Sequence, residues 1–213
     1  MPRLWFRALV HGSSPSACAR SCLGASVSHS GQQYPDQLLA DARMDALALR
    51  RSEDSFVDEL FAAAPAHGAP LLAACFPRVW CDVNREAWEL DPGMFAESLP
   101  PWVNTHSPRV GAGLGTIARI VTGGENIYRR KLSFAEAEAR IHACWEPYHA
   151  ALAGLIAETQ AAFGFCLLID CHSMPAHPAQ MLNPPHFILG DAHGTACAPR
   201  ATRLVEEALL GLG

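Results

Sequence analysis

The chain has 213 residues, half of them apolar, and a formal net charge of −5. This length and composition suit a single α/β domain with a substantial core. We expect a small-molecule partner, because the charge argues against a basic nucleic-acid surface and no apolar run reaches the roughly 18 residues that a membrane-spanning helix needs.

Residues 1–25 contain arginine but no acidic residue and no continuous apolar core, so we expect a disordered or atypical N-terminal segment. The remaining residues, 26–213, are predicted to form one α/β domain. Short apolar runs bounded by turn residues predict strands over 23–28, 70–76, 116–121 and 165–169, and a short edge strand over 188–191.

Helical periodicity is predicted between these strands. The helices are expected over 36–50, 53–64 and 199–210, and a long one is expected to begin at the capping box of Ser133 and Glu136 and to end at Gly164. Pro147 either kinks this long helix or starts a new one. Since a helix leads directly into the strand over 165–169, we predict a mostly parallel or mixed central sheet with helices on both faces.

The eight cysteines form no CxxC pair, and several lie inside apolar runs. Reduced core cysteines have this distribution, whereas a disulfide framework would not. We therefore expect a reducing, cytoplasmic location.

Polar side chains follow the predicted strand over 165–169 at the point where it ends. Asp170 and His172 are two residues apart, so on an extended backbone both point to the same side. Ligands of open α/β sheets bind at the carboxyl ends of strands, which makes this edge a candidate site. The alternative is a histidine that only binds a neighbouring loop, and this segment alone favours neither.

A second histidine, His29, follows the predicted strand over 23–28. Two histidines and a carboxylate are the usual ligands of a catalytic zinc ion, although no HExxH helix or finger spacing is present. Asn84 and Arg85 end another apolar run and are suited to binding a carboxylate, although a surface arginine needs no such role. A catalytic pair of Cys171 and His172 is disfavoured, because adjacent strand residues face opposite ways.

Six short motifs, taken together and in this order, resemble the N-formylglutamate amidohydrolase family, a distant relative of the zinc carboxypeptidases. They are Ser28-His29-Ser30-Gly31, Asp54-Ser-Phe-Val-Asp58, Cys81-Asp82-Val83-Asn84-Arg85, Gly113-Leu-Gly-Thr-Ile-Ala-Arg119, Glu146-Pro-Tyr-His149 and Ile169-Asp-Cys-His-Ser-Met174. The resemblance implies a carboxypeptidase-like (phosphorylase/hydrolase-like) fold. It also implies zinc-dependent hydrolysis of an N-acyl amino acid, with N-formyl-L-glutamate giving formate and glutamate in histidine breakdown.

The resemblance also implies roles for single residues. His29 and His172 match zinc ligands, and Asp54 is our choice for the carboxylate ligand, with Asp58 behind it. Asn84 and Arg85 would hold the substrate carboxylate. Arg119 would polarise the scissile carbonyl, and Asp170 would act in catalysis or orient His172.

Members of this family are expected to carry a later Gln-x-Glu motif that supplies the general base. Residues up to Gly213 do not contain it, so we expect a C-terminally truncated chain. Asp58, Asp82 or Glu86 would then have to substitute as the base. The alternative function is an impaired relative that binds metal or an acidic amino-acid derivative without turnover.

Overall fold

The computed structural model describes residues 6–9, 21–175 and 185–212. Four strands form one sheet in the order β1-β3-β2-β4, with β1 at Phe6–Leu9, β2 at Leu23–Val27, β3 at Leu71–Ala74 and β4 at Leu167–Asp170. Strand β2 pairs in parallel with both β3 and β4, whereas β1 pairs antiparallel with β3. The predicted mixed α/β fold is therefore confirmed.

Seven α-helices are present among the described residues. They are α1 (Asp36–Asp41), α2 (Ala46–Leu49), α3 (Val57–Leu60), α4 (Pro108–Gly111), α5 (Phe134–Arg140), α6 (Glu146–Phe163) and α7 (Pro199–Leu210). Short 3₁₀ turns cover Arg50–Ser52, Ala64–His67 and Pro92–Met94. None of the helices in the described ranges is long and apolar enough to cross a membrane.

The described residues fall into two compact units, which divide between Ser173 and Met174. The first unit contains the sheet and α1 to α6, and the second contains α7. The prediction that residues 26–213 form one domain stays a prediction. Strand β1 lies inside the N-terminal segment for which we expected disorder or an atypical structure, and most of that segment lies outside the described residues.

The long helix begins and ends where its sequence predicts, and a change of pitch that the sequence did not predict precedes Pro147. The Ser133 side chain accepts from the Glu136 N–H, and the Glu136 carboxylate accepts from the Ser133 N–H, which closes the capping box. Pro147 lies in the first turn of α6 and has no N–H to donate, and the turn before it is a π-helix over Ile141–Trp145. Gly164 ends α6 with a φ of 81°.

Two other predicted helices are wrong in extent. The helix predicted over 36–50 is interrupted after α1, where Ala42 forms a β-bridge with Tyr128. The helix predicted over 53–64 starts only at α3, because Phe56 has a left-handed φ of 66°. The β-bridge of Ala42 and the left-handed conformation of Phe56 thus override the local helical pattern.

The strands predicted over 116–121 and 188–191 are also wrong. The Thr116 N–H donates to the Glu89 carbonyl at 2.9 Å, and its carbonyl accepts from the Asp82 N–H at 2.7 Å. The main-chain hydrogen bonds of Thr116 are therefore made with loop residues and not with a neighbouring β-strand. Residues 188–191 form no strand, and the loop predicted over 175–185 lies almost entirely outside the described residues.

Alternate side chains of β3 pack on opposite faces of the sheet. Leu72 and Ala74 belong to a core cluster that also contains residues of α1, α5 and α6. Leu71 and Ala73 belong to a second cluster with Val57 of α3. Helices therefore cover both faces of the sheet, and β3 is buried on both sides.

Gly31, just beyond β2, provides a test of this packing. A Cβ there would overlap the main-chain carbonyl of Phe76, so we expect Gly31→Ala to lower the free energy of unfolding by about 1–3 kcal/mol or more. The matched control is Gly154→Ala in α6, where open space surrounds the new Cβ and about 0.5–1 kcal/mol of stabilisation is expected. Urea denaturation measures both, and equal stability of the two variants would contradict the close approach.

Candidate metal centre

The parallel pairing of β2 and β4 brings two histidines together beyond the carboxyl ends of these strands. Their register aligns Ser26 with Asp170, so His29 and His172 follow at nearly the same level. The two imidazole centroids are 4.9 Å apart. His29 is buried, with 1% of its surface exposed, whereas His172 is partly accessible.

The Asp54 carboxylate lies between the two imidazoles. Its Oδ2 is 3.3 Å from Nδ1 of His29 and 2.8 Å from Nδ1 of His172. Each of the three residues offers a ligand atom, and these atoms all lie within 4.8 Å of one another. Asp58 is not part of this group, so the geometry favours Asp54 over Asp58 as the carboxylate.

The Asp54 side chain is positioned by its own main chain. Asp54 precedes α3 and donates its N–H to the His29 carbonyl at 3.1 Å. Ser30 donates its hydroxyl to the Asp54 carbonyl at 2.6 Å. His29 and Ser30, which follow β2, therefore hold the main chain of Asp54 beside the site, and Asp54 takes no part in a first helical turn.

The remote ring nitrogens of both histidines contact carboxylates. His29 Nε2 is 2.8 Å from Asp82 Oδ1, and His172 Nε2 is 2.8 Å from Asp170 Oδ2. Asp82 is buried and also accepts from Arg78 Nη2 at 2.7 Å. Carboxylates in this position orient the imidazoles of metal sites and increase their basicity.

The contact of Asp82 with His29 favours a positioning role for this carboxylate. A substitute general base was one possible role, but the carboxylate lies behind His29 and is held by Arg78. Its position two residues before Asn84 was visible in the sequence, yet spacing alone gave no sign of its contact with a histidine 53 residues earlier.

The charges of the group follow from these contacts. Burial raises the pKa of Asp54, but hydrogen bonds from His172 and His29 outweigh it, so the pKa lies well below its usual range. Burial likewise raises the pKa of Asp82, and His29, Arg78 and Arg85 reverse the effect.

Hydrogen bonds to Asp170 and Asp54 raise the pKa of His172 to about 9. With lowered pKa values, the carboxylates of Asp54 and Asp82 are ionised at neutral pH.

The donor set fits a divalent metal ion. Two imidazole nitrogens and one carboxylate oxygen are the ligands of many catalytic zinc sites, which leave a further position open. In this protein the three donors come together with oriented imidazoles; His29 and Asp54 are buried, and His172 is exposed to solvent. The residues present therefore suit zinc, although the same donors also accept other first-row metals.

The predicted substrate-binding residues lie in two places. Asn84 Nδ2 is 3.0 Å from His172 Nε2, which puts this amide beside the metal group. Arg85 donates to the carbonyls of Leu114 and Asn84. The Arg119 guanidinium contacts Asp91 and Asn126, and among the described residues it has no hydrogen bond to a predicted metal ligand.

Two residues at the start of α6 were not expected at the site. Trp145 Nε1 donates to the Arg85 carbonyl at 2.9 Å, and His149 Nε2 is 2.8 Å from the Val83 carbonyl. The centroids of their rings are 3.9 Å apart, and the ring planes are tilted by 30°. They hold the main chain on both sides of Asn84, and the only sequence signal for them was the motif that contains His149.

Comparisons with known proteins show which family the chain is similar to. Residues 23–213 match the family described as N-formylglutamate amidohydrolase. The chain is 29% identical over 185 residues to an N-formylglutamate deformylase of Pseudomonas aeruginosa, covering 85% of this chain and 63% of the relative. It is 26% identical over 178 residues to that of Pseudomonas putida, covering 82% and 60%.

A solved structure is also similar. The crystal structure of N-formylglutamate amidohydrolase from Ralstonia eutropha JMP134 superimposes with a TM-score of 0.83 and 34% sequence identity. The match covers 98% of this chain and 74% of that one. The chain spans about three fifths of the length of the two Pseudomonas relatives.

The ligand set can be tested by metal content. Zinc-loaded His172→Ala and Asp54→Asn variants should hold well below one zinc ion per chain after gel filtration, because each loses one of three donors. Asp58→Asn is the matched control and should keep one zinc ion. Atomic emission measures the ratio, and one zinc ion per chain in His172→Ala would exclude this ligand set.

The role of Asp82 predicts a smaller effect. Asp82→Asn should keep the metal but weaken its binding by about 10–100-fold, because the His29 imidazole loses its ionised partner. Competition with a chromophoric chelator measures the affinity. Glu125→Gln, which alters an exposed pair with Arg51, is the control. Unchanged affinity in Asp82→Asn would show that the carboxylate does not support the site.

Proposed function

We propose that this chain, which belongs to the N-formylglutamate amidohydrolase family, hydrolyses N-formyl-L-glutamate to formate and L-glutamate. Relatives named N-formylglutamate deformylase support this substrate. The observation that carries the proposal is the convergence of His29, Asp54 and His172, whose ligand atoms lie within 4.8 Å of one another. Such a group is what a metal-assisted amide hydrolysis requires.

We assign zinc to this group, held by His29, Asp54 and His172. When bound, zinc supplies Lewis acidity that activates water near neutral pH and polarises a carbonyl oxygen. Asp82 and Asp170 orient the two imidazoles from behind. Of the two roles open for Asp170, its 2.8 Å contact with His172 favours positioning over direct proton transfer.

The overall reaction adds water across the amide bond. The water oxygen becomes part of formate, the C–N bond breaks, and both water protons end on the amino group of glutamate, which leaves as an ammonium group. Negative charge develops on the formyl oxygen, and a cationic donor aimed at that oxygen typically lowers the barrier by about 3–4 kcal/mol. Arg119 is the candidate that the family resemblance gives for this donor; its guanidinium contacts Asp91 and Asn126, and no hydrogen bond within the described residues joins it to the metal group.

We assign the substrate α-carboxylate to Asn84 and Arg85. Asn84 already contacts His172, so a carboxylate bound there would lie beside the metal group. Arg85 uses Nε and Nη1 for main-chain carbonyls, which fixes the plane of its guanidinium. A guanidinium held in this way is preorganised for a carboxylate.

The proposed setting of the reaction is histidine breakdown in the cytoplasm. The seven described cysteines are all free, which supports a reducing compartment. The relation of the fold to the zinc carboxypeptidases stays a prediction.

Trp145 provides a test of how Asn84 and Arg85 are held. Trp145→Phe keeps the aromatic stack but removes the N–H that binds the Arg85 carbonyl. We expect KM for N-formyl-L-glutamate to rise about three- to tenfold with unchanged zinc content, in line with the loss of one hydrogen bond. Trp102→Phe, on an exposed ring away from Arg85, is the control. An unchanged KM in Trp145→Phe would exclude this positioning role.

The reaction itself is tested by formate release from N-formyl-L-glutamate. We expect the zinc-loaded chain to release formate and a chelated sample to release none until zinc is restored, because the metal activates the water. N-acetyl-L-glutamate and N-formylglycine test the acyl group and the side-chain carboxylate. No formate from a sample with one zinc ion per chain would contradict hydrolysis and favour the alternative of a binding protein without turnover.

A further inference from the structure

A cavity of about 330 Å³ lies beside the bridge between Ala42 and Tyr128. Five of its lining residues are cationic and none is acidic; they are Arg43, Arg119, Arg129, Arg130 and Lys131. The volume falls in the range of small-molecule sites. Neither the three predicted zinc ligands nor Asn84 and Arg85 line it, so the proposed function leaves it without a role apart from Arg119.

Two of the five cations are neutralised from outside the cavity. Arg119 pairs with Asp91 at 2.6 Å, and Arg130 pairs with both Asp41 and Glu136 at 2.6 Å. In the part of the chain that the structure describes, the side chains of Arg43, Arg129 and Lys131 form no ion pair. The cavity therefore carries an excess positive charge, although the whole chain has a net charge of −5.

Arg43 and Arg129 are fixed by a reciprocal pair of hydrogen bonds. Arg43 Nε donates to the Tyr128 carbonyl at 2.7 Å, and Arg129 Nε donates to the Ala42 carbonyl at 2.5 Å. Main-chain bonds from the same two arginines, to Ile127 and Asp41, reinforce the pair. Each guanidinium is held through Nε, and within the described residues no hydrogen bond engages the outer Nη atoms.

An arginine held through Nε presents its two Nη groups as a planar fork, which matches the geometry of a carboxylate. Two such forks beside one cavity, with a third uncompensated cation at Lys131, match a small molecule with two carboxylates. The cavity is open to solvent, and its volume suits a small molecule. The planar forks favour carboxylate over the tetrahedral phosphate group, which Arg and Lys also bind.

We propose that this cavity is an anion-binding site for a small dicarboxylate. Arg43 and Arg129 bind its carboxylates, and Lys131 adds charge. The site does not depend on the metal centre, so it goes beyond the proposed hydrolysis and is testable without turnover.

The experiment is calorimetric titration of glutarate into the full chain in the presence of chelator. Glutarate is expected to bind about one per chain, and pentanoate, with the same carbon number but one carboxylate, at least tenfold more weakly. Inorganic phosphate is the third ligand. Tighter binding of phosphate than of glutarate would overturn the dicarboxylate assignment, and no detectable glutarate binding would overturn the site.

Arginine-to-lysine variants, which keep the net charge of the chain, test whether glutarate binds in this cavity. Arg43→Lys with Arg129→Lys removes both forks and should weaken glutarate binding at least tenfold. Arg200→Lys with Arg203→Lys, on two exposed arginines of α7, is the matched control and should bind as the parent does. Equal weakening in both double variants would show non-specific attraction, and unchanged binding in the first would exclude the cavity.

Two single variants complete the design. Lys131→Ala should weaken binding about two- to fivefold; Lys131 is exposed, so loss of folding does not confuse the result. His172→Ala should leave glutarate binding unchanged, whereas loss of binding there would place the ligand at the metal group and overturn the proposal. Thermal melting of each variant checks that it is folded.

Discussion

The Asp54 carboxylate, shared between the imidazoles of His29 and His172, is the interaction around which the site is built. Asp82 and Asp170 stand behind these imidazoles, so three carboxylates surround two histidines; His29, Asp54 and Asp82 are buried, whereas His172 and Asp170 are exposed. Such a concentration of negative charge is costly unless cations compensate for it. Arg78 and Arg85 compensate for Asp82, and a protonated His172 compensates for Asp54 and Asp170. The divalent cation that we propose would take over the second role, which would explain a polar cluster at the end of an otherwise apolar sheet.

The parts of the site that follow from strand ends could be predicted from the sequence. His29 and His172 were identified because each follows an apolar run that ends in polar residues. The run before His172 suggests a strand buried on both faces, which is wrong, because β4 lies at the edge of the sheet and its side chains are half-buried or exposed. The capping box at Ser133 and the end of α6 at Gly164 were equally local signals and are confirmed. The choice of Asp54 came from the family resemblance, and the structure supports it with contacts that no spacing rule contains.

The remaining differences arise where tertiary contacts override local pattern. Residues 36–64 have helical periodicity, but Ala42 pairs with Tyr128 and Phe56 adopts a left-handed conformation, so only short helices form. The β-branched segment after Gly115 looks like a strand, yet its main chain is bound by loop residues around Glu89 and Asp82. The contacts of Asp82 and Trp145 with the site connect distant parts of the chain, which one sequence cannot reveal.

The register of β4 against β2 has a consequence for how the chain reaches one folded form. Because side chains alternate along a strand, a slip of one residue would turn His172 to the opposite face of the sheet while leaving most main-chain hydrogen bonds possible. A metal ion that needs both histidines binds the native register alone. The binding free energy of the metal would then favour the native register. The fraction of chains in a slipped register would fall by mass action as the free metal concentration rises.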